Sequence, residues 1–147
     1  MELTYQKATE EDIEPIFQLC QKLIRDYEDP QTIDFEKVFR WVRRKIEASI
    51  DEYTAIFADG RKSGYYHFFR NEDQKMELDD LYVFPEFQSR GIGSEVVKRC
   101  CRSVREPVML YVFVRNAGAV ALYKRLGFAV TETLGATRYI MEFQQKQ

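Results

Sequence analysis

The segment Gln88-Ser89-Arg90-Gly91-Ile92-Gly93-Ser94 sits between an apolar run, Leu81-Tyr82-Val83-Phe84-Pro85, and a stretch with helical spacing. A strand that hands over to a helix across such a loop presents free amides at the positive end of the helix dipole, and that arrangement binds anions. Glycine lets a phosphate approach the main chain with no Cβ in the way. The chemistry indicated is recognition of a phosphate or pyrophosphate by N–H groups from about Gln88 to Ser94. Two other phosphate signatures are absent: a dinucleotide fingerprint needs Gly or Ala where Val96 stands, and a nucleoside-triphosphate loop needs Gly-Lys-Ser/Thr. Gly91 and Gly93 also suit a tight strand-to-helix turn that binds nothing.

A second segment has its own spacing. Asn116 is followed by Ala119, then by Leu122-Tyr123, then by Gly127-Phe128. Asn116 and Tyr123 stand close to two helical turns apart, so one side of a helix carries both, and Asn116 is a good N-cap.

Stepping outward, Leu3 to Lys7 alternates weakly as a first strand, and Thr9-Glu10-Glu11-Asp12 reads as a helix start, with Thr9 able to cap and acids in the first turn. Ile13, Ile16, Phe17, Cys20, Leu23, Ile24 and Tyr27 recur at threes and fours, and Pro30 closes that helix. A second helix begins at Asp34, with Phe35, Val38, Trp41 or Val42, and Ile46 inward and Arg40, Arg43, Arg44 and Lys45 largely outward. Strands follow over Tyr53 to Ala58, Ser63 to Arg70 and Lys75 to Val83, broken by Asp59-Gly60 and Asn71-Glu72-Asp73. The order then runs helix (about Gly91 to Val104), buried strand (Val108 to Val114), helix (Ala117 to Leu126), and closing strands over Phe128 to Thr133 and Arg138 to Phe143. With no repeat, linker or low-complexity tract, this order predicts a single α/β domain over residues 1–147 with a mixed sheet.

The two motifs together resemble the GNAT superfamily of coenzyme-A-dependent N-acetyltransferases. Gln88-Ser89-Arg90-Gly91-Ile92-Gly93 looks like its pyrophosphate loop, and Asn116 through Phe128 looks like its N-x-x-A-x-x-L-Y-x-x-x-G-F segment, in the right order. The resemblance implies an α+β fold with a mostly antiparallel central sheet, splayed in the middle between the Leu81 and Tyr111 strands, and helices on both faces. It implies acetyl-coenzyme A as donor, coenzyme A as product and no metal. Cofactor contacts would come from Leu81, Tyr82 and Val83, from Gln88, Ser89, Arg90, Gly91, Ile92, Gly93 and Ser94, and from Asn116, Ala119 and Tyr123. The Val83 amide would polarise the thioester carbonyl.

Direct attack by an amine on the thioester needs a neutral nitrogen, a base for its proton and a donor for the departing thiolate. Tyr123 matches the family's general-acid position, although a core tyrosine between helix and sheet also fits. For the base, alternation places Glu77 and Asp79 on one strand face and Asp80 on the other. Glu77 is favoured, since it precedes Gln88 by the interval at which some family members carry a catalytic glutamate; an ordered water, Asp79 and His67 remain open alternatives. The family's acceptor pocket implies Asp26, Tyr27, Glu28, Tyr53 and Tyr139. That acidic and aromatic mixture favours a small cationic amine or a peptide amine as acceptor. A module that binds acyl-coenzyme A without catalysis is the alternative reading.

Composition bounds the rest. A net charge of −2 supplies no field to attract nucleic acid, despite local basic clusters at Arg43-Arg44-Lys45 and at Lys98, Arg99, Arg102 and Arg105. No apolar run approaches the roughly 20 residues that span a bilayer, so no membrane partner is expected. Met1 to Tyr5 lacks a secretory pattern, which points to the cytoplasm, and Cys20, Cys100 and Cys101 read as buried free thiols. His67 is the one histidine, too few for a histidine metal site or a Ser/His/Asp triad with no nucleophile elbow. A homodimer is compatible with the sequence.

Overall fold

The computed structural model describes residues 1–146. Strand β1 (Leu3–Lys7) leads into a short turn of 3₁₀ helix, Glu10–Asp12, and then into α1 (Ile13–Tyr27) and α2 (Phe35–Ser49). A meander follows: β2 (Tyr53–Ala58), β3 (Arg61–Arg70) and β4 (Met76–Val83). The chain ends as α3 (Ile92–Arg102), β5 (Val108–Phe113), α4 (Ala117–Arg125), β6 (Ala129–Leu134) and β7 (Arg138–Phe143). The seven strands form one sheet in the order β1-β2-β3-β4-β5-β7-β6. Among the described residues, β4 and β5 are the one parallel pair. Among the described residues no helix is long and apolar enough to cross a membrane.

The local chemistry explains most boundaries. Asp12 turns back to accept the Thr9 amide at 2.8 Å, and its buried carboxylate also takes Lys62 Nζ (2.6 Å) and the Tyr65 hydroxyl (2.7 Å), which fixes the start of α1 to β3. Asp34 Oδ1 accepts from the Lys37 amide and caps α2. Val42 and Ile46 of that helix are buried while Trp41 is 60% exposed, so Val42 faces the sheet. Asp59 and Gly60 both have positive φ, the geometry of a two-residue hairpin turn, and this lets β3 begin at Arg61, before the expected Ser63.

Helices cover both faces. Ile16, Cys20, Val42 and Ile46 of α1 and α2 pack on Tyr53, Ala55 and Tyr65. Val96, Val97 and Cys100 of α3, joined by Val120 and Tyr123 of α4, pack on Ile56, Leu78, Leu110 and Met141. The three cysteines are buried free thiols.

Two irregularities shape the middle of the sheet. β4 and β5 pair only at Met76 with Val108 and Glu77 with Met109, after which they part. β4 continues along β3 to the Gly64–Val83 pair, and β5 continues along β7 to the Phe113–Arg138 pair. The expected splay is therefore a fork that opens just past Glu77. Beside it, His67 pairs with Asp79 but Tyr65 pairs with Tyr82, so Tyr66 faces two residues of β4. This is a β-bulge, with Asp80 in the left-handed region (φ 49°). The bulge overturns the expectation from alternation: Asp80 turns to the same face as Asp79 and Glu77, because the extra residue resets the period of two.

Gly64 makes the bulge possible. A Cβ built there would lie 2.0 Å from the Tyr82 carbonyl oxygen, which is backbone and cannot rotate away. Gly64→Ala is expected to lower unfolding free energy by about 3 kcal/mol or more, as an overpacked site with no flexible neighbour. Urea unfolding of the two proteins measures this; a loss below about 1 kcal/mol would show that β3 and β4 separate without cost.

Candidate active site

The loop into α3 is held from below. Phe87 is buried at 4% exposure, the Phe84 amide donates to Ser63 O (2.8 Å), and the Gln88 side-chain amide donates to Val83 O (2.9 Å). Ser89 and Gly91 have positive φ (64° and 81°), and Gly91 is the residue before the first helical turn. A Cβ at Gly91 would meet nothing within 4 Å, so glycine is needed there for φ, and the space above it is open. A Cβ at Gly93 would make only ordinary contact with Leu122, at 3.7 Å. By helix geometry the amides of Ile92, Gly93 and Ser94 have no upstream carbonyl within α3 and carry the positive dipole end. Arg90 lies over the Phe87 ring at 5.7 Å, beside this loop.

Below the loop the fork exposes one edge of β4. Since the Phe84 amide is spent on Ser63, strand alternation turns the main-chain groups of Val83, and of Leu81, toward the gap between β4 and β5. Tyr82 has its main chain toward β3, and its hydroxyl reaches Asp80 and Cys20 (3.1 Å each). On the α3 and α4 side, Asn116 caps α4 by accepting the Ala119 amide at 3.3 Å. Tyr123 packs in a tilted contact on Phe128, 5.6 Å between ring centres. Its hydroxyl has no hydrogen-bond partner among the described residues. Burial first, then the charge of Asp79, pushes its pKa up, so the phenol stays protonated as a donor.

On the α1 and α2 side the bulge gathers carboxylates. Glu77 is 7% exposed, and its Oε1 accepts from Asn71 (3.1 Å). Burial, then Asp79, raises its pKa. Asp79 takes Lys45 Nζ on Oδ2 (2.6 Å) and the Asp80 amide on Oδ1 (2.9 Å). Asp80 takes the Tyr53 hydroxyl on Oδ2 (2.5 Å) and the Tyr82 hydroxyl on Oδ1 (3.1 Å). Burial and the adjacent Asp79 push the Asp80 carboxyl up to about 6. Burial works against the charge on Lys45, yet Asp79 and Asp80 outweigh it and hold the ammonium protonated.

His67 is stacked between Tyr53 (4.4 Å) and Phe69 (4.0 Å). The Glu52 carboxylate lies 3.4 Å from Nε2, off hydrogen-bonding alignment, and burial lowers the His67 pKa and keeps the ring neutral. Lys45 and Asp80 were not singled out for the site by sequence reasoning. Helical periodicity put Lys45 on the polar side of α2, and no periodic pattern announces a bulge.

The rim lies where α1 ends. Tyr27 stacks on Phe113 at 6.0 Å, Arg115 reaches Asp26 O at 3.4 Å, and Asp29, Pro30, Arg115, Ala136 and Thr137 line a cleft of about 210 Å³. Two residues expected at an acceptor pocket are elsewhere. Tyr53 is fully buried in the Asp80 network, and Tyr139 packs on the α3 and α4 side with Val112. A larger cleft of about 530 Å³ beside Arg99 and Arg102 of α3 contains none of these carboxylates. Among the described residues no group of three or more His, Cys, Asp or Glu side chains is placed to hold a metal ion.

Comparison with known proteins gives the arrangement a context. The family model for the acetyltransferase (GNAT) family matches residues 16–128. An uncharacterized N-acetyltransferase of Methanocaldococcus jannaschii is 26% identical over 145 residues, which covers 89% of this chain and 62% of that protein. Thialysine N-epsilon-acetyltransferase of Sus scrofa is 34% identical over 70 residues, 44% of this chain and 41% of that one. The chain thus spans less than two thirds of the length of these curated relatives. Among solved structures, the PaiA N-acetyltransferase of Thermoplasma acidophilum, in complex with coenzyme A, superposes with a TM-score of 0.72 at 23% identity, covering 98% of this chain and 99% of that one. The spermidine N-acetyltransferase of Vibrio cholerae, in complex with coenzyme A and spermine, gives 0.68 at 18% identity, covering 97% and 95%.

The raised pKa of Asp80 has a thermodynamic consequence. Folded Asp80 holds its proton more tightly than the unfolded chain does, so its contribution to stability is present below the ordinary value of 3.8 and is lost as pH rises through about 6. Asp80→Asn lacks that titration. The stability of the native protein relative to Asp80→Asn is expected to fall across this window, as read by chemical denaturation at several pH values. A difference that is flat, or that grows with pH, would contradict the raised carboxyl.

Proposed function

Because the chain belongs to the acetyltransferase (GNAT) family, we propose that it transfers an acetyl group from acetyl-coenzyme A to a primary amine, by direct attack in a ternary complex. The carrying observation is that the β4–β5 ladder stops after Glu77 and Met109, which leaves the remainder of β4, the strand that leads through the loop into the free amides of α3, unpaired on that edge. The residues present fit the cofactor: the space over Gly91 is open, and one edge of β4 is unpaired. When bound, acetyl-coenzyme A supplies the activated acetyl thioester.

The amides from Gln88 to Ser94, with Arg90 nearby, bind the diphosphate. Leu81 and Val83 offer main-chain groups to the pantetheine arm as a neighbouring strand would, and the Val83 amide donates to the thioester carbonyl. Tyr82 supports this edge through its pairing with Tyr65. Asn116 and Ala119 set the start of α4, which carries Tyr123 toward the fork.

Glu77 serves as the base, through an ordered water. Of Glu77, Asp79 and Asp80, it alone keeps a carboxylate oxygen, Oε2, without a protein partner among the described residues. Its raised pKa brings it closer to neutrality, where a base works best. Tyr123 gives its proton to the departing thiolate. Glu28 and Asp29 at the rim attract a cationic acceptor, a small-molecule amine or a peptide amine, while Asp26 is paired with Lys22 at 2.6 Å. The three buried thiols suit a reducing compartment such as the cytoplasm.

Coenzyme A and acetyl-coenzyme A are expected to raise the melting temperature, whereas ATP and NAD leave it unchanged. Thiol release should appear with at least one member of an amine panel; binding without release would favour a regulatory acyl-coenzyme-A module. Tyr123→Phe should then lower kcat about a hundredfold with coenzyme A affinity retained. Parallel loss of both quantities would make the ring structural.

A further inference from the structure

The acidic face of the fork already holds a cation. Lys45 Nζ lies 2.6 Å from Asp79 Oδ2 and 5.9 Å from the centre of the Trp41 ring. A carboxylate on one side and an aromatic face on the other is how proteins recognise an alkylammonium ion. The pair is open to solvent: the Lys45 and Asp79 side chains keep 32% and 24% exposure, and Trp41 is 60% exposed. It is also central, since the charge of Asp79 acts on Glu77 and Tyr111 on one side and on Tyr123 on the other.

Within the Asp79–Asp80 pair the other oxygens are spoken for, and the free Glu77 Oε2 is the one assigned to the base. Asp79 Oδ1 holds the Asp80 amide, and both Asp80 oxygens hold tyrosine hydroxyls. Asp79 Oδ2 is therefore the acceptor that an incoming ammonium would use, and Lys45 has it. Resting on the reading of the fork as an acetyl-transfer site, we propose that Lys45 is a specificity-determining residue. Its ammonium fills the cation subsite made by Asp79 and Trp41, so the protein takes acceptors whose reacting amine is the sole cation and discriminates against those bringing a second one.

The physical reason is competition at one oxygen. A diamine would have to displace an ammonium already tethered at the site at high effective concentration, whereas a monoamine leaves the pair intact. Pairing with Lys45 also keeps Asp79 from holding the incoming amine as ammonium, the form that cannot attack.

Calorimetric titration of the coenzyme-A-loaded protein with putrescine and with butylamine tests this without relying on turnover. Lys45→Met keeps an unbranched side chain of similar length and frees Asp79, so putrescine should bind about tenfold tighter than to the native protein while butylamine changes little. Lys45→Gln should move in the same direction and serves if the methionine variant folds poorly. The gain should vanish in Lys45→Met combined with Asp79→Asn, and Lys45→Arg should retain the native ratio. A purely structural pin between α2 and β4 would lower the melting temperature in these variants yet leave the putrescine-to-butylamine ratio where it was, and that outcome, or a gain that survives loss of Asp79, overturns the proposal. Thiol release from acetyl-coenzyme A across the amine panel reads the transfer reaction separately: its absence with every member, with the binding ratio still altered, would sink the enzymatic reading and leave the cation subsite standing.

Discussion

Main-chain hydrogen bonding between two parallel strands stops after two residue pairs, and much of the molecule is arranged around that stop. Peptide groups left without partners inside a protein are costly, so a sheet does not part in its middle unless the freed edges are otherwise accommodated. β5 has β7 on its other side along its full length, and β4 has β3, so each strand keeps one ladder while giving up the other. The Gln88 side chain takes up the Val83 carbonyl. The remaining edge is the kind of surface that an extended ligand with amide groups pairs with, and a pantetheine arm is such a ligand.

The bulge at Asp80 is the second consequence of a strand that must leave its neighbour. One extra residue turns β4 and sets two consecutive carboxylates on the same face, an arrangement with a direct electrostatic cost. Neighbouring negative charges in a partly buried setting raise each other's affinity for protons. The protein meets this with one ammonium, Lys45, and two phenols, Tyr53 and Tyr82, and Asp80 still stays well above an ordinary aspartate. The same field reaches Glu77 from Asp79 and lifts it as well. Fold geometry and acid–base chemistry are thus one problem here: Gly64, which lies against the Tyr82 carbonyl, permits the backbone path that places the charges.

Much of this was legible in the sequence, for reasons that follow from how each feature is encoded. Helix faces are periodic, so Ile16, Cys20, Val42 and Ile46 could be assigned inward, and turns use residues with special φ, so Asp59-Gly60 marked a hairpin. The Gly91 and Asn116 motifs are local in sequence, which is why they pointed to the family whose model matches residues 16–128. What alternation could not give was the bulge, because a bulge is a property of two strands and their register. Asp80 was accordingly sent to the wrong face, and Tyr139 was grouped with an acceptor pocket although its register with Val112 puts it on the other side. Lys45 escaped because a long side chain on the edge of an amphipathic helix can swing inward to a carboxylate that is distant in sequence.

The two kinds of chemistry end up on opposite faces of the same sheet. Free amides of α3 and the Tyr123 phenol belong to the face covered by α3 and α4, while Glu77, Asp79, Asp80 and the α1 rim belong to the face covered by α1 and α2. A continuous sheet would keep these groups apart by its own thickness, with side chains on both sides. The fork removes that barrier over a few residues, so on the proposed reading a diphosphate held by dipoles on one side and an amine drawn by carboxylates on the other approach the same gap without crossing paths. Separation of this kind also protects the balance of charge, because the anionic cofactor does not share a surface with the acidic cluster. The direct transfer we propose needs no covalent relay on the protein, and among the described residues every cysteine, the most reactive nucleophile available for one, is buried with its thiol pKa raised.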